Sequence, residues 1–458
     1  MRIAWFSPLP PDRSGIAAYS AELLPMLSAR HQIEAFVDDG EGEPGLRAAH
    51  TIPGITIRGA FDFAWRHATA PFDVCVYQIG NQLCHNYMWP YLVRYPGLVV
   101  IHDGQLHHAR AAGLIKRRRF EEYRAEFAYC HPSAPPALHE LVISGMGEAV
   151  ASMYFDHPMV RIPVEAARVT AVHNSVLAEE LSASVPDSTV VAIRQGVHDV
   201  SDAAGGRQMS LRHSWGIPDD AVVFVAFGRA TPEKRLGAAV KAMGQIRASG
   251  LEPQPWLICV GDRPDYYDVR QDAATAGVED HVVVTGYVDG EGLGRYLALA
   301  DACVCLRWPT GRETSAAWLR CVAAGKPTIV SDLSHLTDVP MLDPRTLATL
   351  APVDRSPEDR EPIGFIVELT DEVQMIRLAM RHLVTSARLR GDLGRAARRY
   401  WSRHATVELM AGDYEALLER TRGEPSRPHP DWPVHLTQNG TALGRQIAQH
   451  MGVEFGWM

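Results

Sequence analysis

Two cations, Arg229 and Lys234, stand in the segment Phe227-Gly228-Arg229-Ala230-Thr231-Pro232-Glu233-Lys234, directly after the apolar run Val222-Val223-Phe224-Val225-Ala226. A strand that ends in such a loop, beside the start of a helix, is a place to hold a diphosphate. Arginine forks across phosphate oxygens, and lysine adds a mobile point charge. Together they would stabilise charge growing on a departing nucleoside diphosphate; surface salt bridges are the competing use. Further on, Ala302-Cys303-Val304-Cys305-Leu306 leads to Gly311-Arg312-Glu313-Thr314-Ser315, an amphipathic helix and Gly325-Lys326-Pro327. The free N–H groups at that helix start, with the Thr314 or Ser315 hydroxyl, suit phosphate or sugar oxygens. Glu313 suits hydroxyl hydrogens of a hexose, with helix capping as its plainer use.

The N-terminal half offers a second set. Asp12-Arg13-Ser14-Gly15 lies between the first strand and the first helix, where Gly15 lets an oxygen-rich ligand approach backbone N–H groups. The loop lacks the three glycines of a dinucleotide fingerprint, which argues against a nicotinamide-dependent dehydrogenase. Leu98-Val99-Val100-Ile101 ends in His102-Asp103-Gly104. A histidine at the carboxyl end of a parallel strand points into the usual ligand crevice. His102 is read as a partner for a sugar hydroxyl and Asp103 as an orienting group or base; tying neighbouring loops together is the alternative. His107 and His108 are expected at the surface or as supporting groups. Lys116-Arg117-Arg118-Arg119 is either a solvated helix end or a docking surface for anionic lipid. Gly261-Asp262 and Tyr287-Val288 are candidate walls for a nucleotide base.

These residues need elements to hold them. At 458 residues the chain suits two domains of roughly 200 residues each. Strands are expected over 3–7, 33–37, 74–78, 98–101, 169–172 and 190–193, and again over 222–227, 256–260, 281–284, 302–306 and 328–331. They are short, β-branched and nearly continuous in apolar character, as buried parallel strands should be. Their alternation with helices, such as 16–30, 234–247 and 291–299, predicts doubly wound α/β sheets. The expected division is an acceptor domain over 1–198, a donor domain over 209–395, helices over 396–420 returning to the first domain, and a tail over 421–458. That tail is expected to be irregular over 421–436, with a short helix over 443–450. Apolar content of 46% and charged content of 22% describe a globular protein, and a formal charge of -9 argues against a nucleic-acid-coating surface. The seven cysteines are scattered and offer no zinc set, which fits core thiols in a reducing compartment. The first residues read as a strand, not as a signal or a membrane span. A cytoplasmic location is the expectation, with the inner membrane surface as a candidate peripheral partner.

The ordered set Ser14-Gly15, His102-Asp103, Gly228-Arg229 with Lys234, Gly286-Tyr287-Val288, and Glu313-Thr314-Ser315 with Ala324-Gly325-Lys326-Pro327 resembles the retaining glycosyltransferases of the GT-B fold, in particular glycosyltransferase family 4. The resemblance covers residues 2 to 415. It implies two Rossmann-like doubly wound domains facing across a cleft, with His102 near the transferred sugar and Arg229 and Lys234 on the diphosphate. It implies a hexose moved with retention from a UDP or GDP sugar to a hydroxyl acceptor, with no obligatory metal or other cofactor. There is one departure. The family commonly carries two glutamates with seven residues between them. Anchored on Gly325, the second falls at Arg320, and Glu313 fills the first with a one-residue offset. An arginine cannot accept ribose hydrogens, so the ribose contact stays open; Arg320 is expected on a phosphate or paired with Glu313. The competing functions are a non-catalytic sugar-nucleotide sensor or scaffold, and a phosphorylase or epimerase of the same fold.

Overall fold

The computed structural model describes residues 1–40, 51–146, 152–200, 208–351, 356–427, 431–438, 447 and 449–451. The terminal helix expected over 443–450 lies largely outside the described residues, as does the 201–207 part of the expected domain boundary.

Fifteen strands among the described residues form two sheets. The first comprises β1 (Arg2–Phe6), β2 (Gln32–Val37), β3 (Thr56–Gly59), β4 (Val74–Ile79), β5 (Leu98–Ile101), β6 (Val169–Val172) and β7 (Val190–Ala192), in the order β3-β2-β1-β4-β5-β6-β7 and parallel throughout. The second comprises β8 (Val222–Phe227), β9 (Pro255–Val260), β10 (Val282–Val284), β11 (Ala302–Cys305), β12 (Thr328–Ser331), β13 (Met341–Leu342), β14 (Thr349–Leu350) and β15 (Gly364–Val367). Its order is β10-β9-β8-β11-β12-β15-β13-β14, with only the β13–β14 pair antiparallel. Both are doubly wound Rossmann-like sheets. In each, the strand order reverses at a switch point, between β1 and β4 and between β8 and β11. Ligands of such sheets bind outside the carboxyl ends of the strands at these points.

The sequence reason for burial on both faces is visible in β1. Ala4 and Phe6 join Phe36, Phe63 and Tyr77 in one core, while Ile3 and Trp5 join Ala35, Val76 and Leu23 in the other. Four strands fall outside the expected ranges: the two-residue β13 and β14, and the longer β3 and β15. Thr56-Ile57-Arg58-Gly59 carries a charge and a terminal glycine because it is the sheet edge, and Gly364-Phe365-Ile366-Val367 begins on a residue with weak strand preference.

The last long helices divide between the domains. Ala387–His404 packs Ala396, Ala397 and Trp401 against Trp318, Leu319 and Val322 of the helix Ala316–Ala323. Val407–Gly423 packs Met410, Tyr414 and Leu417 against Ile3, Trp5 and Leu23. The chain crosses at 405–406, beside the other connection: Val197 N–H donates to Ala405 O at 3.0 Å, and Trp401 Nε1 donates to Val197 O at 3.0 Å. The tail is less irregular than expected. Its first residues complete the helix ending at Gly423, and Val434–Thr437 forms a further turn. Trp432 and Leu436 enter the N-terminal core, which the polar composition around them disguises. Trp432 Nε1 donates to Glu165 Oε2 at 2.8 Å. His107, expected at the surface or as a supporting group, is fully buried, with Nε2 at 2.8 Å from the Tyr123 hydroxyl, because its helix turns that face toward Tyr123 and Phe127. Among the described residues no helix is long and apolar enough to cross a membrane.

Candidate active site

The two switch points face each other. Between them lies a cavity of about 280 Å³ lined by Gly15, His102 and Asp103 from the first domain and by Gly228, Lys234, Glu313, Thr314 and Ser315 from the second. A smaller recess of about 40 Å³ adjoins it and shares Gly228, Lys234, Arg307, Glu313 and Ser315.

Local structure explains each placement. Ser14 caps the helix Gly15–Ser28 by accepting from Ala17 N–H at 3.0 Å, which sets Gly15 at the first helical position. Gly228 ends β8 with φ 97°, a conformation that a side chain would strain, and turns the chain into the loop. Pro232 then opens the short turn Pro232–Lys234. Arg235 closes it and is fixed by a forked pair with the buried Glu372 at 2.6 Å. Trp308 N–H donates to Glu233 O at 2.8 Å, tying this loop to the one after β11. Lys234 and Arg307 are thereby brought together. Ser315 caps the helix Ala316–Ala323 by accepting from Trp318 N–H at 3.3 Å.

The electrostatics follow from burial and from neighbouring charge. Burial, aided by His173 and His85, holds His102 well below its usual pKa, so its ring is neutral. His102 Nε2 lies 2.7 Å from Gln78 Oε1, an acceptor, so Nε2 carries the hydrogen and Nδ1 is left to accept. Burial raises the Asp103 carboxyl, against the pull of Asn81 N–H, which donates to Oδ2 at 2.9 Å, and of Arg307. Burial and then the Arg307 charge bring Lys234 down to about 7. Arg307 itself is lowered by burial.

The domains touch around this cavity. Gly104 N–H donates to Gly311 O at 2.6 Å, Asn174 Nδ2 to Arg312 O at 2.8 Å, and Thr314 Oγ1 to His173 O at 3.1 Å. Arg312 pairs with Glu180 at 2.7 Å, Arg320 pairs with Glu22, and the Arg13 guanidinium lies 4.2 Å from the centre of the Tyr287 ring.

Several residues singled out in the sequence lie elsewhere. Arg229 is exposed and outside the cavity lining, because the turn after it carries the chain inward only at Lys234. Asp262, Tyr287 and Val288 stand at the ends of β9 and β10, outside the cavity lining; Asp262 Oδ1 accepts from Tyr287 N–H at 2.8 Å. The expected Arg320–Glu313 pair is corrected: Arg320 reaches across to Glu22, and Glu313 is taken by Arg307 and by Thr310 Oγ1 at 2.8 Å. In the segment after β4, His85 lines the cavity and Trp89 belongs to the first-domain core. Sequence reading passed over Arg307, Asn81 and Gln195, which also line the cavity. The signal for Arg307 was present: it follows β11 directly after Leu306, at a strand end like His102. Among the described residues no group of three or more His, Cys, Asp or Glu is arranged to hold a metal ion.

Comparison with known proteins agrees with this fold. Residues 221–354 match the model of the family described as glycosyl transferases group 1. The chain is 24% identical over 163 residues to alpha-D-kanosaminyltransferase of Streptomyces kanamyceticus, covering 35% of this chain and 40% of that protein. It is 26% identical over 238 residues to D-inositol 3-phosphate glycosyltransferase of Stackebrandtia nassauensis, covering 48% of each. The chain thus spans under half the length of these curated relatives. Across the whole fold it resembles sucrose-phosphate synthase from Thermosynechococcus elongatus, with a TM-score of 0.60 at 16% identity over 92% of this chain and 98% of that one. It also resembles HepE from Anabaena in complex with UDP-glucose, with a TM-score of 0.59 at 13% identity over 92% and 99% of the two chains. The shared architecture is the GT-B fold.

Proposed function

We propose that this chain, a member of the glycosyl transferases group 1 family with the GT-B fold, is a retaining hexosyltransferase that uses a UDP or GDP sugar. The observation that carries the reading is the convergence of Gly15, His102 and Asp103 with Gly228, Lys234, Glu313, Thr314 and Ser315 on one interdomain cavity. The donor diphosphate would lie toward Gly228, Lys234 and the capped start of Ala316–Ala323, where a cation and free N–H groups meet its charge. The hexose would lie between Glu313 and His102. In the transfer, the bond from the anomeric carbon to the diphosphate breaks. The acceptor oxygen bonds the same face of that carbon, and its proton passes to the departing phosphate oxygen. His102 and Asp103 position the sugar and the acceptor from the first domain. Closure of the two domains holds the reactants in register and keeps water out. Asp262, Tyr287 and Val288 would border the base, and Arg229 would supply charge at longer range.

The test is a panel of UDP- and GDP-hexoses incubated with the full chain and hydroxyl acceptors (sugars, glycans and lipid-linked sugars), read by mass spectrometry. Acceptor-dependent release of nucleoside diphosphate with a glycosylated product is the expected outcome. Saturable donor binding without transfer across the panel would favour the sensor reading, and product formation from inorganic phosphate would favour a phosphorylase.

A cytoplasmic location and contact with an anionic membrane surface belong to the same proposal. Lys116, Arg117, Arg118 and Arg119 are all exposed where the helix His107–Lys116 ends, although Arg119 is engaged by Glu122. Co-flotation with phosphatidylglycerol vesicles, lost in raised salt and in a variant with all four residues changed to Ser, is the expected result. Flotation that ignores both changes would rule out this patch.

A further inference from the structure

The loop after β11 brings a second cation into the cleft. Arg307 is anchored by its backbone, whose N–H donates to Ser331 Oγ at 3.0 Å, and its side chain lines both the cavity and the adjoining recess. Lys234 lines the same two spaces, close enough for the Arg307 charge to lower its proton affinity. Among the described residues Lys234 has no ion pair, and Arg307 has one, with Glu313. Glu313 is the one carboxylate paired directly with these two cations among the described residues, and Lys234 keeps no carboxylate partner of its own. A nucleoside diphosphate carries the charge to complete the set.

We propose that Arg307 is the partner of Lys234 on the donor diphosphate, and that Glu313 occupies its guanidinium only until the donor arrives. The inference rests on the donor reading above and assigns that site a residue and an exchange. Glu313 stands in for a phosphate: one oxygen takes Arg307, and the other accepts from Thr310 Oγ1 at 2.8 Å. When the diphosphate enters, its oxygens take over the guanidinium, whose fork fits two of them at once. The freed Glu313 oxygen then faces the hydroxyls of the hexose. Arg229, exposed and outside the lining, makes no such exchange.

The experiment is calorimetric titration of the full chain with UDP, GDP, UMP and GMP. Wild type should bind the diphosphate of its preferred base far more tightly than the monophosphate. R307A should lose about 100-fold in diphosphate affinity, as expected for one desolvated charged contact, with monophosphate affinity changed by less than about threefold. R307K should recover part of the loss. E313Q should bind the bare diphosphate more tightly, because the competitor for Arg307 is weakened, yet bind the nucleotide sugar less tightly. An R307A protein that keeps the wild-type ratio of diphosphate to monophosphate affinity overturns the exchange while leaving the donor reading intact. If R307A does not fold, E313Q decides: diphosphate binding unchanged or weakened overturns it. A wild-type chain that binds none of the four nucleotides removes the donor reading and this inference with it.

Discussion

Lys234→Ala is expected to lower kcat/KM about 1,000-fold, as removal of a charge-stabilising donor does elsewhere, while leaving the fold intact. The side chain faces both subsites and has no ion pair among the described residues, so its removal orphans no buried carboxylate. Arg229→Ala, by contrast, should cost less than about tenfold, since an exposed charge outside the lining acts through screened field alone. A pH signature should accompany the effect. In the folded, donor-free chain Lys234 is held at about 7, chiefly by burial and next by Arg307, against an ordinary value of 10.5. The lysine must be charged to meet a diphosphate, so donor affinity should weaken as pH rises through 7, by at most about tenfold per pH unit. Above that pH, binding should take up a proton, measurable by calorimetry in buffers of different ionisation enthalpy. The sign for stability is opposite. Between 7 and 10.5 the unfolded chain holds this proton and the folded chain does not, so Lys234 makes the free protein gain stability as pH rises across that window. K234A should lose both slopes. A K234A protein with near-wild-type turnover would remove the phosphate assignment.

Most of the scaffold was legible because buried parallel strands advertise themselves. β5, β6, β8 and β12 fall where their apolar runs predict, and chemistry at their carboxyl ends follows from the doubly wound pattern. His102 and Gly228 were found by that logic. Arg307 obeys the same logic, yet a lone arginine after Leu306 was overshadowed by the richer Gly311–Ser315 string. What sequence spacing cannot carry is contact across the cleft. Glu22 and Arg320 sit on helices from different domains, and nothing in either segment says that they pair. Spacing suggested that Glu313 shares a helix face with Arg320, but Glu313 lies in the loop before the helix Ala316–Ala323. Its actual partner came from the strand end before it, through a loop tied back to Glu233. The tail was misjudged for a related reason. Trp432 and Leu436 lie among prolines and charges that read as irregular, and only the cavity they fill in the first domain makes them core.

Gly104→Ala tests the same cleft from the other side and is expected to cut transfer about 100-fold, the cost of a misplacement near 1 Å between reacting groups. Gly104 directly follows His102 and Asp103, and its N–H reaches Gly311 O at 2.6 Å. A methyl group there would sit 2.6 Å from Gly311 O and 2.7 Å from Leu177 Cδ1. The leucine can move, but the carbonyl belongs to the backbone of the segment that carries Glu313, so the variant can relieve the contact only by parting the two domains. The groups proposed to hold the diphosphate all sit on the second domain, so UDP or GDP affinity should change by less than about threefold, whereas turnover, which needs His102 and Asp103 in register, should fall. Adding Leu177→Ala relieves the side-chain contact and leaves the carbonyl, so the double variant should not recover activity. This separates a wedge between domains from crowding within the first. If G104A transfers at the wild-type rate, the arrangement in which Gly104 touches Gly311 is not the one that carries the chemistry.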